Sequence, residues 1–214
     1  MMIKENILNI KRGIAEAISI VAVSKGRSIE EIKEAVASGI TDIGENKVQE
    51  AMRKYYELRN INRHLVGHLQ ANKAKDAVEI FDLIQSVDSL RLVEEIDKQA
   101  CRIKKTQDIL IQVNTSGEKT KFGLKPDDTI GVIEESLKFK NINIKGLMTI
   151  APLVDNPEKA RPYFRLLREL RDKINALHIT HNRLHILSMG MTDDFKIAIA
   201  EGSNMVRLGR AIFE

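Results

Sequence analysis

Residues 19–26 read Ser19-Ile20-Val21-Ala22-Val23-Ser24-Lys25-Gly26. The first six are small or β-branched, which is typical of a strand buried in a parallel sheet. A lysine follows where this strand should end, and lysine is seldom buried without a partner. Ligands and catalytic groups of parallel α/β folds lie at the carboxyl ends of the strands. The stretch therefore predicts a buried first strand and a candidate reactive lysine.

Short apolar runs of this kind recur along the chain and alternate with segments of helical periodicity. The predicted strands are Ile20–Ser24, Ile40–Gly44, Arg63–Gly67, Leu83–Val87, Ile109–Val113, Ile144–Thr149, Leu184–Ser188 and Met205–Gly209. The predicted helices are Ser28–Ser38, Asn46–Leu58, Ser89–Lys104, Pro126–Phe139 and Asn156–Leu177. Eight strands alternating with helices predict a single α/β domain, a (β/α)8 TIM barrel, over residues 1–214. A doubly wound open sheet is the alternative, although no Gly-x-Gly-x-x-Gly turn follows a strand.

An extra helix is predicted before the first strand, because Ile3, Ile7, Ile10, Ile14 and Ile18 recur at helical spacing. The length of 214 residues is short for a (β/α)8 barrel, so the loops must be compact.

Composition narrows the class of protein. Hydrophobic residues make up 43% and charged residues 30% of the chain, and no apolar run approaches the roughly 20 residues that cross a bilayer. Cys101 is the single cysteine and the N-terminus lacks a signal design, so we expect a cytoplasmic protein without disulfides. Acidic residues are interleaved with the basic ones, so the net charge is only +4, and aromatic residues make up only 4% of the chain. Both features argue against a nucleic-acid partner.

Lys25 suggests a specific chemistry. A lysine held at the end of an interior strand should lose hydration, which disfavours its ammonium form. The neutral amine can then form a Schiff base with an aldehyde. The alternative is a rim lysine exposed in a loop.

Two later segments indicate a phosphate site. Ser188-Met189-Gly190 follows predicted strand seven, and Gly209-Arg210 follows strand eight. The loops after these strands commonly bind phosphate through backbone amides. Strands one and eight are neighbours in a closed barrel, so we expect Lys25 to face these amides. The combination favours a phosphorylated aldehyde as ligand, and glycine-containing turns without a ligand are the alternative.

Arg207 stands inside an apolar strand, between Val206 and Leu208. Strand alternation should turn Met205, Arg207 and Gly209 toward one face. A charge in such a strand needs a partner. An inward arginine beside the pyridine nitrogen of a cofactor would keep that nitrogen unprotonated and weaken the ring as an electron sink. The alternative is a salt bridge in the barrel interior.

Several motifs stand in order between about Ile3 and Phe213: Ala22-Val23-Ser24-Lys25, Gly44-Glu45-Asn46, Val48-Gln49-Glu50, His64-Leu65-Val66-Gly67, Leu69-Gln70, Asn72-Lys73, Gly146-Leu147-Met148, Ser188-Met189-Gly190-Met191 and Val206-Arg207-Leu208-Gly209. Together they resemble the YggS/PROSC family of pyridoxal phosphate homeostasis proteins. The resemblance implies an alanine-racemase-like barrel, of the fold-type III class, with pyridoxal 5′-phosphate as a Schiff base on Lys25. The cofactor-binding residues that we predict are Lys25, Asn46, Met148, Ser188, Met189, Gly190, Arg207, Gly209 and Arg210.

The resemblance also implies roles for these residues. It places Asn46 near the ring, Arg207 against the pyridine nitrogen, and Ser188 with the Gly209 and Arg210 amides on the phosphate. The chain departs from the family at Arg210, where serine or threonine is usual. One phosphate-binding hydroxyl is then lost, but the backbone amide stays and a guanidinium could supply a charge-assisted bond.

The function implied is a carrier or buffer of pyridoxal phosphate in vitamin B6 homeostasis, with apo forms of pyridoxal-phosphate-dependent enzymes as acceptors. We expect a monomer without membrane association. The alternative is an amino-acid racemase or related enzyme on the same barrel. Racemisation in the alanine-racemase fold uses a lysine and a tyrosine on opposite faces of the substrate. That tyrosine comes from a second domain, whereas this chain stops after strand eight, so we favour a protein without catalytic activity.

His178, His181 and His185 have a spacing that invites a metal interpretation. They fall at a helix end, in a loop and in a predicted strand, so they need not converge. We therefore predict no metal site.

Overall fold

Strands and helices alternate along the chain in the computed structural model, which describes residues 2–180 and 182–214. The strands are β1 Ser19–Val23, β2 Asp42–Glu45, β3 Asn62–Leu65, β4 Leu83–Val87, β5 Gln107–Gln112, β6 Ile142–Met148, β7 Ile186–Ser188 and β8 Met205–Leu208. The helices are α1 Met2–Arg12, α2 Ile29–Ala37, α3 Val48–Lys54, α4 Ala74–Ile80, α5 Leu90–Arg102, α6 Pro126–Ser136, α7 Arg161–Ala176, α8 Phe195–Ala200 and α9 Arg210–Phe213.

The eight strands form one closed, parallel barrel in chain order. β8 closes the barrel against β1, with Ser19 opposite Met205 and Ala22 opposite Leu208. The predicted (β/α)8 fold is therefore confirmed, and the open-sheet alternative is wrong. Each predicted strand is present, with boundaries that differ by at most two residues.

The strands are buried on both faces, which explains their continuous apolar sequences. One face of the sheet packs on the surrounding helices through the larger apolar core. The opposite face fills the barrel with a smaller cluster: Val21, Val66, Leu83, Leu110, Met148 and Met205. Successive residues of a strand point to opposite faces, so this cluster identifies which positions face the barrel interior.

Local signals account for several helix ends. Ser28 caps α2 through a capping box with Glu31, in which Ser28 Oγ accepts from the Glu31 N–H. Pro126 stands in the first turn of α6, where its missing N–H is not needed.

The bounds of two predicted helices in the first part of the chain need correction. The N-terminal helix is present, but α1 ends at Arg12 before Gly13, so Ile14 and Ile18 lie outside it. The predicted helix Asn46–Leu58 is shorter, because α3 ends at Lys54 and a 3-10 turn follows. The short helices α4, α8 and α9 were absent from the sequence prediction. Two or fewer turns carry too little periodicity to be recognised.

A glycine determines how closely β2 and β3 approach at their carboxyl ends. A Cβ atom on Gly67 would lie 2.3 Å from the carbonyl oxygen of Asn46. Only glycine permits this contact, because the clash would be with backbone. Gly67 thereby allows the segment that carries Asn46 to lie against the exit of β3.

Candidate ligand-binding site at the mouth of the barrel

Lys25 lies just beyond β1, at the mouth of the barrel. The chain leaves the sheet at Ser24, whose N–H still bonds to the Gly44 carbonyl at 2.9 Å. Lys25 and Gly26 then form a turn in which Gly26 has a φ of 71°, a value that favours glycine. Lys25 is exposed, and among the described residues its amine has no hydrogen bond or ion pair. Our expectation that Lys25 loses hydration is therefore wrong, because the turn carries it out of the sheet.

A charged network fixes the backbone on both sides of Lys25. The Lys54 ammonium donates to the Ser24 carbonyl oxygen at 2.8 Å. The Gly26 N–H donates to Glu50 Oε1 at 2.7 Å. The residues that flank Lys25 are thus both anchored, while the Lys25 side chain stays free.

Lys54 also joins two carboxylates. Its Nζ donates to Glu45 Oε1 at 2.8 Å and to Glu50 Oε1 at 2.7 Å. Ser24 Oγ donates to Glu45 Oε1 at 2.6 Å. We call Ser24, Glu45, Glu50 and Lys54 the outer clamp.

The outer clamp places Glu45 in an unusual environment. Glu45 is fully buried, and its Oε2 has no hydrogen-bond partner among the described residues. Burial raises the pKa of Glu45 in spite of the bonds from Lys54 and Ser24. Burial alone would lower the pKa of Lys54, but the two carboxylates outweigh it and raise that pKa. Lys54 is therefore held in its charged form.

Arg207 lies inside the barrel, as strand alternation predicts, and is only 4% exposed. Its Nη1 donates to Ser188 Oγ and its Nη2 to the Thr149 carbonyl oxygen, both at 2.7 Å. No salt bridge to Arg207 forms in the described part of the chain, so the interior ion pair that we considered is wrong. Burial lowers the pKa of Arg207 to about 10, opposed by Asp194, so the guanidinium is charged at neutral pH.

The hydrogen bonds continue from Arg207 across the barrel interior. Ser188 Oγ donates to Gln85 Oε1 at 2.6 Å. Gln85 Nε2 lies 2.8 Å from His64 Nδ1, and His64 Nε2 lies 3.0 Å from Asp42 Oδ1. We call Asp42, His64, Gln85, Ser188 and Arg207 the inner chain.

Three backbone amides at the exits of β7 and β8 are available for a phosphate. The N–H groups of Gly190, Gly209 and Arg210 have no acceptor among the described residues. The neighbouring Ala211 N–H donates to Thr192 Oγ1 at 3.3 Å. The predicted phosphate loops therefore offer free donors.

Two predicted phosphate contacts are corrected by the geometry. The Met189 side chain packs in the core outside the barrel, and its N–H bonds to the Met205 carbonyl oxygen at 3.1 Å. Ser188 donates its only hydroxyl proton to Gln85, so that proton is not available to a phosphate. Both residues support the site from inside the protein.

The remaining predicted residues lie around the mouth. Asn46 follows β2, is half-buried, and its side chain forms no hydrogen bond within the described residues. Met148 is fully buried in the cluster that fills the barrel. The Arg210 side chain is exposed and pairs with Asp193 at 2.6 Å, so its guanidinium already has a partner outside the barrel.

The sequence interpretation overlooked Gln85, and it quoted His64 without a role. Gln85 and Ser86 interrupt a strand that otherwise reads Leu83, Ile84 and Val87. That signal is the one that singled out Arg207: a polar side chain in an apolar, fully buried strand. Lys54 carried no comparable signal, because a lysine near the end of an amphipathic helix is ordinary.

The closed parallel barrel with helices around it is the fold of the alanine-racemase type. A family profile described as "Alanine racemase, N-terminal domain" matches residues 2–214. The chain belongs to this family and, within it, to the pyridoxal phosphate homeostasis proteins, as its curated relatives show.

Two of these relatives are both named "Pyridoxal phosphate homeostasis protein". The one from Aquifex aeolicus is 42% identical over 196 residues, which span 91% of this chain and 85% of the relative. The one from Pasteurella multocida is 33% identical in an alignment that covers 100% of this chain and 97% of the relative.

Solved structures agree with this placement. PipY of Synechococcus elongatus with pyridoxal phosphate bound is 34% identical, with a TM-score of 0.92 over 99% of this chain and 100% of PipY. Alanine racemase of Clostridium difficile is 17% identical, with a TM-score of 0.83 over 99% of this chain and 56% of the racemase. The second likeness shows the fold alone.

The described part of the chain contains neither a candidate metal cluster nor a candidate membrane-spanning helix. Within residues 2–180 and 182–214, no three His, Cys, Asp or Glu side chains cluster in a way that could hold a metal ion. His181 lies outside the described residues, and His185 precedes β7 instead of lying within it. No helix in the described ranges has both the length and the apolar character to span a membrane.

Proposed function

We propose that this chain binds pyridoxal 5′-phosphate reversibly through a Schiff base on Lys25 and carries or buffers it in vitamin B6 homeostasis. The observation that carries this proposal is the pairing of β1 with β8, because Lys25 with its free amine follows β1 and Gly209 and Arg210 with their free N–H groups follow β8. The bound pyridoxal phosphate in PipY, a relative of similar length, supports it.

The residues present fit such a ligand. Lys25 would hold the aldehyde carbon, and the amides of Gly190, Gly209 and Arg210 would hold the phosphate. When bound, the cofactor supplies an aldehyde and an electron-withdrawing ring. Arg207 keeps three of its five N–H groups beyond those that bond Ser188 and Thr149, and it would donate to the ring nitrogen.

The exposure of Lys25 favours a carrier over an enzyme. Catalytic sites of this chemistry gain from excluding water, whereas Lys25 lies open at the mouth. At an exposed amine, water can reach and hydrolyse the Schiff base. The released pyridoxal phosphate can then be transferred to apo forms of pyridoxal-phosphate-dependent enzymes. We propose further that the protein acts as a monomer in the cytoplasm, and that residues 1–214 form one binding domain.

The second candidate is an amino-acid racemase, which the alanine-racemase-like barrel favours at the level of fold. Racemisation needs a second base opposite the lysine. The three tyrosines of the chain are Tyr55, Tyr56 and Tyr163, which lie on a 3-10 turn and on α7. None of these positions is in a loop at the barrel mouth. Lys25-dependent turnover of an amino acid by the loaded protein would establish this candidate instead.

Reductive trapping tests binding directly. The protein is incubated with pyridoxal phosphate, reduced with borohydride, and examined by intact mass and peptide mapping. We expect one reduced adduct, on the Lys25 peptide, and none in Lys25→Ala. Lys47→Ala is the matched control, since Lys47 is an exposed lysine after the neighbouring strand. Absence of an adduct on the unmodified protein, or an adduct that persists in Lys25→Ala, would overturn the proposal.

Transfer tests the carrier role. Loaded protein is mixed with an apo pyridoxal-phosphate-dependent enzyme, and recovery of that enzyme's activity is followed. We expect the enzyme to recover its full activity when loaded carrier and apo enzyme are mixed in equimolar amounts. Retention of the cofactor by this protein while the acceptor stays inactive would contradict a supplying role.

A further inference from the structure

We propose that His64 and Gln85, deep in the barrel, are positioning residues that hold Arg207 for the ring nitrogen of the ligand. This inference rests on the proposed function. Both residues are buried, at 3% and 0% exposure, and neither contacts Arg207 directly. They act through Ser188, which bonds to both Arg207 and Gln85.

The inner chain has a single direction. Arg207 can only donate, so Ser188 Oγ must accept from it. The Ser188 hydroxyl proton then goes to Gln85 Oε1. With its oxygen used in this way, Gln85 presents its amide nitrogen to His64 Nδ1 and also donates to Met205 Sδ at 3.3 Å. Every group therefore donates away from Arg207.

This direction determines the protonation of His64. An amide nitrogen donates, so Nδ1 must accept and carries no proton. The proton of the neutral ring is then on Nε2, which donates to Asp42 Oδ1. Burial acts to raise the pKa of Asp42, but bonds from His64, Thr41 and Asn62 outweigh it and lower that pKa. Asp42 is thus a carboxylate that ends the chain as an acceptor.

The reverse orientation of the Gln85 amide is excluded by the same count of donors. Turned over, its nitrogen would donate to Ser188, which already accepts from Arg207. The Ser188 proton would then lose its acceptor inside the barrel, which is costly for a buried hydroxyl. Its oxygen would also require a proton on His64 Nδ1. The inner chain therefore locks Gln85, Ser188 and Arg207 in one arrangement.

An arginine side chain has several rotatable bonds. Its contribution to ligand affinity is larger when more of these bonds are fixed before the ligand binds. Arg207 is fixed at two points, Ser188 and the Thr149 carbonyl. Loss of Gln85 would leave the Ser188 proton without its acceptor. Ser188 would then rotate to find another, and the guanidinium would lose one of its two supports.

The experiment compares pyridoxal phosphate with its 1-deaza analogue, in which a C–H group replaces the ring nitrogen. Both retain the aldehyde and the phosphate, so their ratio of dissociation constants isolates the contact to the nitrogen. We expect the unmodified protein to prefer pyridoxal phosphate by about tenfold or more, since a hydrogen bond from a charged donor is worth that much. In Gln85→Leu we expect the preference to fall to about threefold or less.

Gln107→Leu is the matched control. Gln107 is also a fully buried glutamine in a barrel strand, but its Nε2 donates to the carbonyl oxygens of Asp82 and Asp108, both at 3.0 Å. This variant should keep the preference. Equal ratios in Gln85→Leu and Gln107→Leu would overturn the proposal, and so would a ratio near one in the unmodified protein.

Nitrogen NMR of the ligand-free protein supplies a readout that does not need the cofactor. We expect His64 as the neutral Nε2–H form. In Gln85→Glu, which keeps the shape but cannot donate, we expect His64 to gain a proton on Nδ1. An unchanged His64 signal in Gln85→Glu, or an Nδ1–H form in the unmodified protein, would refute the proposed direction of the hydrogen bonds in the inner chain. This test holds even if Gln85→Leu fails to fold. Failure of either ligand to form an adduct, with the expected His64 signals, would reject the proposed function and leave the chain's direction intact.

Discussion

The outer clamp and the inner chain support the same site in different ways. The outer clamp joins three ionisable side chains and the Ser24 hydroxyl and anchors the backbone on both sides of Lys25, while the Lys25 amine stays unpartnered. The inner chain carries charges only at its ends, Asp42 and Arg207, and holds the Arg207 head group itself. The difference matches the roles that we propose for the two residues: Lys25, proposed to react, is left free, and Arg207, proposed to recognise the ring, is fixed in advance.

The two clusters also differ in how completely they are paired. In the outer clamp one ammonium serves two carboxylates, and Glu45 keeps a buried oxygen without a partner. In the inner chain every side-chain oxygen has a hydrogen-bond partner, and within the described residues only N–H groups of Arg207 are left over. The clamp should therefore be the more sensitive of the two to loss of a single member.

The largest effect is expected for Lys54→Met. This change leaves Glu45 buried with only the Ser24 hydroxyl, and removing one partner of a buried ion pair costs about 3–5 kcal/mol. Guanidinium denaturation would measure the lowered free energy of unfolding. The matched control is Lys33→Met, which breaks the exposed pair with Glu57 and should cost about 1 kcal/mol or less. Equal losses of unfolding free energy in both variants would show that the outer clamp stabilises the fold no more than an exposed ion pair does.

A smaller loss is expected for Ser188→Ala in the inner chain. The change leaves Gln85 Oε1 and one N–H group of Arg207 without a hydrogen-bond partner. Each unsatisfied buried group costs roughly 1–3 kcal/mol. We expect a total of about 3 kcal/mol from the shift of the unfolding midpoint. Ser136→Ala serves as control, because Ser136 is equally buried but only bonds to a carbonyl of its own helix. If Ser188→Ala lowers the free energy of unfolding no more than Ser136→Ala does, the hydrogen bonds of the inner chain do not form one continuous network.

Lys25→Met should separate binding from stability. Because Lys25 is exposed and unpartnered, we expect the free energy of unfolding to change by about 0.5 kcal/mol or less. Covalent trapping of pyridoxal phosphate should nevertheless disappear. A marked loss of stability would mean that the Lys25 side chain, and not only its flanking backbone, belongs to the clamp.

The smallest effect is expected for Arg210→Ala. Its guanidinium pairs with Asp193 in an exposed position, and such pairs contribute about 0–1 kcal/mol. We expect the affinities for pyridoxal phosphate and for pyridoxal to change by about twofold or less, as measured by absorbance titration. Selective weakening of pyridoxal phosphate by about tenfold would show instead that the side chain contacts the phosphate. Equal weakening of both ligands would indicate a packing defect.

The fold was accessible from local patterns. Short β-branched runs such as Ile20–Val23, repeated eight times between helical segments, are a property of neighbouring residues and survive without tertiary information. Alternation alone placed Arg207 inside the barrel, because Met205 and Arg207 must share a face. A lysine at the end of β1 and glycine-containing exits of β7 and β8 could likewise be read from the chain.

The pairing of side chains was decided only by closure of the barrel. Ser188 meets Gln85 across 103 residues of sequence, and Lys54 reaches back 30 residues to Ser24. No local pattern encodes such contacts, because they depend on strand register and on which helix covers which strand. The exposure of Lys25 was settled in the same way, by a turn after β1. Sequence determined which residues reach the mouth, and tertiary structure determined which are free to bind there, since a hydrogen bond requires both partners in place.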